Sequence, residues 1–338
     1  MIEQSMLEPH IIDCLNTHYG IKVAKLNSLS LGADLNAAVY KAETHDESYF
    51  IKLKRGHHDT SATIIALLEE AGIQHIIPPI KTKQGRLVQQ IDEVTLSVFP
   101  FVEGQDGFSR DLTDEQWVTL GTVMRQIHEI KVPASLQRSI RCEEYSSKWR
   151  EAVQSLYAHI ESEPAIDEIS LQLIIFMKKH AAVIYRLVDR AEQLAKQIQD
   201  QVPEFVLCHS DIHGGNVLID RNNRIYIVDW DEPIMALKER DLMFIGGGVA
   251  NVWNKPDEEK LFYQGYGKTA INRTILAYYR HERIVEDIAI LGQQILLTSA
   301  SDKIKLDSYQ HFIAQFEPNG VVEIAFKTEV DNMVLGQW

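Results

Sequence analysis

The sequence predicts an α+β chain with a small, β-rich N-terminal part and a larger, mainly helical C-terminal part. Three observations carry this expectation. The 338 residues are 45% hydrophobic and 24% charged, ordinary for a globular protein of one large or two smaller domains. Short segments of strand and helix character, bounded by turn residues, fill roughly the first 100 residues. From Asp111 onward, long stretches with apolar residues at helical spacing replace them.

In chain order, Ile11–Tyr19 reads as a short helix. Asn36–Glu43 and Glu47–Lys54 are strand-like and are joined by Thr44-His45-Asp46, so a hairpin is expected. Thr60–Ala71 has helical spacing, and Gly72 follows it as the residue type that closes helices. Val94–Val102 is a further strand, interrupted by Pro100. Thr113 and Gln116 have capping-box spacing, and Trp117, Leu120, Met124 and Ile127 then recur on one helical face. Tyr145–Ile160 and Ile166–Gln199 continue as helices. One β island follows, made of Phe205–Cys208, Val217–Asp220 and Ile225–Asp229, with a turn at Arg221-Asn222-Asn223-Arg224. Helix resumes, notably over Ile271–Gln294. Two domains are expected, 1–102 and 103–338, with the change of texture at Phe101–Gly107.

Composition excludes several function classes. Basic residues number 34 against 48 acidic ones, a net charge of −14, which repels phosphate backbones and attracts cations. No nucleic-acid partner is expected. The three cysteines, Cys14, Cys142 and Cys208, are widely spaced with no CxxC, so neither a disulfide framework nor a zinc knuckle is expected. The start, MIEQSMLEPH, lacks a basic region before an apolar stretch, and no run approaches the ~18 apolar residues of a membrane span. These features predict a reduced, soluble, cytoplasmic protein with no membrane partner, for which a monomer is plausible.

The chemistry concentrates in Val206–Glu232, which holds His209-x-Asp211-x4-Asn216, a hairpin and Asp229. Pairing Asp220 with Ile225 across the turn sets Asn216 opposite Asp229 and Val217 opposite Val228. A carboxylate and an amide oxygen so placed suit Mg²⁺, and Asp211, on the preceding loop, reaches the same end of the ladder. This is the parts list of phosphoryl transfer, in which one Asp orients the attacking hydroxyl while Asn and Asp hold magnesium on the nucleotide phosphates. Lys52, within the apolar run Tyr49–Leu53, supplies the remaining cation, since a lysine on a buried face needs an anionic partner.

The run HSDIHGGNVL (209–218), with IVDWDEP (227–233), resembles the aminoglycoside phosphotransferase family of kinase-like enzymes. The stretches HYGI (18–21), YFIKLK (49–54), 230–256 and YYRHERIVEDIA (278–289) extend the likeness over most of the chain. The resemblance implies a bilobal, protein-kinase-like α+β fold. It also implies ATP- and Mg²⁺-dependent phosphorylation of a hydroxyl on a small cationic aminocyclitol, spectinomycin, giving antibiotic resistance. It makes Asp211 the catalytic base, Asn216 and Asp229 the Mg²⁺ ligands and Lys52 the partner of the α/β-phosphates. Leu29–Asn36 becomes the loop over the nucleotide, with Gly32, Asp34 and Asn36. This loop holds one glycine where protein kinases have three. Pro100, Phe101 and Val102 become the hinge that reads adenine through backbone groups, and Glu69 or Glu70 the partner of Lys52. Choline, homoserine, methylthioribose and fructosamine kinases share the architecture, and a nucleotide-binding module without catalysis is the non-enzymatic alternative.

Outside the motif, Asp231, Glu232, Glu282 and Glu286 are candidates for a carboxylate-lined pocket that would hold the acceptor's amines, or else form a solvated acidic face. Glu282 and Glu286 are four apart and share a helical face. Trp230, Trp253 and Tyr279 are candidate apolar walls. Gly246-Gly247-Gly248 reads as close backbone packing, Arg240-Asp241 as an ion pair that braces the catalytic loop, and His209 as a structural brace, with no zinc site at His209 and His213.

Overall fold

A computed structural model describes residues 4–29, 37–56, 59–199, 204–247, 249 and 252–330. Helix α1 (Gln4–Cys14) runs into a π-helical turn, Leu15–Tyr19, which Gly20 ends in the left-handed conformation at φ 77°. The short helix expected over Ile11–Tyr19 is therefore the end of a longer one. Strands β1 (Lys25–Leu29), β2 (Ala37–Glu43) and β3 (Ser48–Arg55) follow. The Thr44 hydroxyl closes the β2–β3 turn by accepting the Asp46 and Glu47 amides. Helix α2 (Thr60–Glu70) buries Ile64, Ile65 and Leu68, and Gly72 beyond it takes φ 83°.

Strands β4 (Gln89–Ile91), β5 (Val94–Pro100) and β6 (Gly104–Asp106) come next, so the strand expected to reach Val102 stops at Pro100. Strands β1 to β5 form one antiparallel sheet in the order β1-β2-β3-β5-β4. Ile51 and Leu53 of β3, with Leu96 and Val98 of β5, pack in one core with Ile11 and Leu15. Side chains alternate across a strand, so Lys52 stands on the face opposite that core.

Helix α3 (Asp114–Glu129) begins with the expected reciprocal cap. The Gln116 side chain accepts the Thr113 amide at 2.8 Å, and the Thr113 hydroxyl accepts the Gln116 amide at 3.3 Å. Helix α4 (Ala134–Gln137), strand β7 (Arg141–Cys142), helix α5 (Lys148–Ser162) and the 31-residue helix α6 (Glu168–Ile198) follow. Asp167 caps α6, accepting the Ser170 amide at 2.7 Å. Then come β8 (Val206–Cys208), a 3₁₀ turn at Gly214–Asn216, β9 (Val217–Asp220), β10 (Ile225–Ile227) and β11 (Ile234–Ala236). Helices α7 (Glu239–Leu242), α8 (Pro256–Tyr266), α9 (Arg273–Leu296), α10 (Asp302–Ala314) and α11 (Val321–Val330) complete the order.

The expected β island divides between two sheets. Strands β9 and β10 join β6, whereas β8 joins β7 and β11. The hairpin register also differs by one residue from the expected pairing: Ile225 faces Ile219 and Ile227 faces Val217. The cause is the turn. The Asp220 carboxylate accepts the amides of Asn222 and Arg224, both at 2.8 Å, the Asp220 amide donates to Arg224 O, and Asn223 takes φ 64°. A three-residue turn with a left-handed last residue replaces the four-residue one. Asn216 then lies across from Val228, whose amide donates to the Asn216 carbonyl at 3.0 Å.

The described chain forms two compact units that alternate along the sequence. The first takes Met1–Asp111, Gln126–Arg141 and Gly215–Ile234, and the second Leu112–Arg125, Cys142–Gly214 and Met235–Trp338. Helix α9 is the axis of the second unit, with α5, α6, α10 and α11 packed on it around Leu156, Leu173, Met177, Val285, Ile288 and Phe312. In the same unit α3 and α8 touch backbone to backbone. A Cβ on Gly265 would lie 1.8 Å from Val118 O, and one on Gly121 2.0 Å from Phe262 O. Gly265→Ala is expected to cost about 1–3 kcal/mol, because the helices must separate, and a denaturant midpoint checks it. Among the described residues no helix is long and apolar enough to cross a membrane, and Cys14, Cys142 and Cys208 are free thiols.

Candidate active site

The first unit gathers two lysines and two carboxylates. Lys52 Nζ lies 2.8 Å from Asp229 Oδ1 and 2.6 Å from Asp231 Oδ1, and Lys54 Nζ lies 3.5 Å from Asp231 Oδ2. Burial alone would pull the Lys52 ammonium down, but the two carboxylates outweigh it and raise its pKa. Asp229 adopts φ 63°, a left-handed conformation that costs a non-glycine residue energy and that Asp tolerates better than most. The buried Trp230 pins this bend, its indole N–H donating to Ile227 O at 3.2 Å. Strand β10 is tied from the other side, where the Ile227 amide donates to His75 O and His75 Nδ1 lies 2.8 Å from Ile225 O. The Asp229 side chain is 48% exposed, while Asn216 is buried.

Several expectations change here. Glu69 and Glu70 are exposed at the end of α2, and Asp229 and Asp231 are the carboxylates that hold Lys52. Asp231, considered for an acceptor pocket, sits on the two lysines instead. Glu232 is exposed, with Arg141 at 3.8 Å. Pro100 ends β5 opposite Tyr49, the Phe101 amide donates to Ser48 O at 3.0 Å, Lys41 Nζ stands 4.7 Å over the Phe101 ring, and Val102 is half-buried. Gly32, Asp34 and Asn36 lie outside the described residues.

The second unit gathers its own charged groups around Asp211. Asp241, fully buried, accepts the amides of His209 at 2.9 Å and Ser210 at 2.7 Å, and Ser210 turns through φ 76°. The Asp211 amide reaches His209 Nδ1 at 3.3 Å, so His209 does brace the loop. The brace at Asp241 works through backbone amides rather than through the expected ion pair, and the Arg240 guanidinium lies over Tyr279 instead. Asp211 Oδ1 accepts from Arg283 Nη1 at 2.7 Å, and Oδ2 lies 3.3 Å from His213 Nε2. Arg283 Nε donates to Asp287 Oδ1 at 3.0 Å, and the Phe244 ring supports both the Arg283 guanidinium and the His213 ring. Burial alone would push the Asp211 carboxyl up. The His213 hydrogen bond and the Arg283 charge outweigh it and hold the acid well below the usual carboxylate range.

Glu282 is buried and bonded to Arg150, whose Nε also reaches Glu192 at 2.8 Å; Glu286 is half-buried one turn further on. Trp230, Trp253 and Tyr279 are core residues rather than pocket walls. Gly247 packs closely as expected, since a Cβ on it would lie 1.9 Å from Met243 O, while Gly248 lies outside the described residues. Burial pushes the Glu282 carboxyl from 4.5 up to about 7, with Arg150 opposing. An acid raised on folding holds its proton more tightly folded than unfolded, so stability falls as pH rises from 4.5 to about 7 and levels above. Glu282→Gln is expected to flatten that slope, read as melting temperatures at pH 5 and pH 8. Arg283 and Phe244 carry no signal that sequence reasoning found, and Asp287 reads from sequence only as one more acid of the helix that holds Glu282 and Glu286. The i,i+4 spacing of Arg283 and Asp287 was readable, but the contact of Arg283 with Asp211 was not.

Comparison with known proteins agrees with this chemistry. The model of the phosphotransferase enzyme family matches residues 29–236, a span that contains Lys52, Asp211, Asn216 and Asp229. The crystal structure of spectinomycin phosphotransferase, APH(9)-Ia, in complex with ADP and spectinomycin is 50% identical, with a TM-score of 0.89, covering 95% of this chain and 98% of that one. A microcompartment-associated aminopropanol kinase, 14% identical with a TM-score of 0.65 over 96% of this chain and 98% of that one, shares the fold alone. Protein StrN of Streptomyces griseus is 22% identical over 200 residues, 55% of this chain and 59% of StrN, so the match spans less than two thirds of that relative. With the family model matching more than half of the chain, and half the residues identical along a solved phosphotransferase, the chain belongs to the phosphotransferase enzyme family and has its protein-kinase-like α+β fold.

Proposed function

We propose that this chain is a cytoplasmic, ATP-dependent O-phosphotransferase that phosphorylates a hydroxyl of spectinomycin and so confers resistance to it. The reaction class rests on Asp211, an ionised carboxylate on the loop that runs directly into Asn216. The acceptor is drawn from the half-identical relative solved with ADP and spectinomycin, and the net charge of −14 suits a cationic acceptor.

In this reading residues 1–102 carry the nucleotide contacts and 103–338 the catalytic loop and acceptor site. Pro100, Phe101 and Val102 meet the adenine, while Gly32, Asp34 and Asn36 belong to the loop over the phosphates. Lys52, held between Asp229 and Asp231, pairs with phosphate oxygens. Asn216 and Asp229 offer an amide and a carboxylate oxygen, hard donors that fit Mg²⁺ and would hold it. When bound, that ion neutralises charge on the nucleotide phosphates. Asp211 accepts a hydrogen bond from the acceptor hydroxyl and aims its oxygen at the γ-phosphorus. As the new O–P bond forms and the bond to ADP breaks, Asp211 takes the hydroxyl proton. The transition state is loose, so positioning and charge neutralisation supply most of the rate.

The test is ADP release by purified protein with ATP and Mg²⁺, with and without spectinomycin, against aminoglycosides, choline and homoserine. Stimulation by spectinomycin alone is expected. Stimulation by another acceptor only would discard the acceptor, and no stimulation by any would discard the enzyme reading.

A further inference from the structure

Three features of the second unit meet beside Asp211. Both carboxylate oxygens have a partner, Arg283 on one and His213 on the other. The Arg283 guanidinium is also held at its Nε by Asp287, one turn along α9. Next to this pair lies a cavity of about 50 Å³, lined by Phe244, Arg283, Asp287 and Gln315 among others. Gln315, at the end of α10, is 8% exposed, and neither atom of its amide has a hydrogen-bond partner among the described residues. A buried, unpartnered amide asks for an explanation.

We propose that Arg283 is a latch on Asp211. Without acceptor its guanidinium occupies the carboxylate. When a cationic acceptor arrives, it pivots on its bond to Asp287 into the cavity and donates to Gln315 Oε1. The inference rests on the reading of Asp211 as the base. An aminocyclitol brings an ammonium on the same ring as its hydroxyls, so docking a hydroxyl on Asp211 sets a second positive charge beside Arg283. Two cations at one carboxylate repel, and a guanidinium cannot relieve this by losing its proton. It must move, and Asp287 lets it move without losing its counter-charge. Arg280, which also lines the cavity, is committed to Met243 O, Ile245 O and Thr328 Oγ1, so it does not compete for Gln315. Arg283 is thus a positioning residue. It keeps the base from serving water when no acceptor is present, and its displacement couples acceptor charge to exposure of the base.

Arg283→Met and Gln315→Leu in the full chain test this, with ATP, Mg²⁺ and spectinomycin. Arg283→Met is expected to raise acceptor-free ADP release about fivefold and to lower the KM for spectinomycin by a similar factor, since the competent state no longer competes with the latch. Arg283→Lys should return acceptor-free release toward wild type. Gln315→Leu should raise the KM for spectinomycin about threefold without a matching fall in kcat. A fixed clamp makes the opposite prediction: Arg283→Met would lower kcat at unchanged KM, with no rise in acceptor-free release, and that result overturns the latch. If Arg283→Met does not fold, an unchanged KM in Gln315→Leu overturns it. The double variant Asp211→Ala/Arg283→Met should lose the rise, and a rise that persists would show that the ADP is not made at Asp211. Acceptor-free release reads the latch even if spectinomycin is the wrong acceptor, which only the wild-type stimulation decides.

Discussion

Asp211→Ala is expected to lower kcat by roughly 10²–10⁴-fold, the range lost when a positioned general base is removed, with little change in the KM for ATP. The side chain is bonded to His213 and Arg283. Arg283 keeps Asp287 as a partner, so the variant should remain folded. Because the carboxyl is held well below the usual range, it stays ionised throughout an ordinary assay range. No acidic limb in kcat/KM from pH 5 to 8 should then belong to Asp211, since kcat/KM reports the free protein in which Arg283 and His213 hold it. Initial rates of ADP release with spectinomycin check both points. A variant within about threefold of wild type would remove Asp211 from the chemistry.

Asp241→Asn is the second large effect. The two Asp241 oxygens accept the backbone amides of His209 and Ser210 at a fully buried position. Asparagine replaces one acceptor oxygen with an NH₂ group, which must point at an N–H or leave it unpaired. Leaving a buried N–H unpaired costs about 1–3 kcal/mol, and a denaturant midpoint reads it. The loop that aims Asp211 is then no longer fixed, so kcat should fall about tenfold or more even in protein that remains folded. Wild-type stability in Asp241→Asn would mean that the loop is held elsewhere.

How much was legible depends on the range over which each feature is encoded. The catalytic loop was readable because Asp211 and Asn216 are a linear motif, and Lys52 because a lysine between Ile51 and Leu53 breaks a strand's apolar pattern. The α3 cap was readable for the same reason, since its two residues are three apart. The hairpin register was not, because one side chain, Asp220, chooses the turn and shifts every pair by one. Strand β6 has three residues and no alternation to betray it. The family resemblance places the partner of Lys52 on a helix, at Glu69 or Glu70, whereas the structure supplies the two acids that flank Trp230. Arg283 reaches Asp211 from 72 residues away, a distance over which spacing carries no signal.

The alternation of the two units along the chain sets a timetable for synthesis. Strand β6 leaves the ribosome early, yet its pairing surface, with Gly104 against Asp220, is made more than a hundred residues later. At 5–20 residues per second that is a wait on the order of 5–25 s. Through that interval the nascent N-terminal sheet carries an element with no strand to join, while the helices of the second unit are already emerging. Expression host and temperature should therefore govern soluble yield more than the stability of the finished protein does. Pausing translation between β6 and β9 should increase what chaperones or aggregation capture.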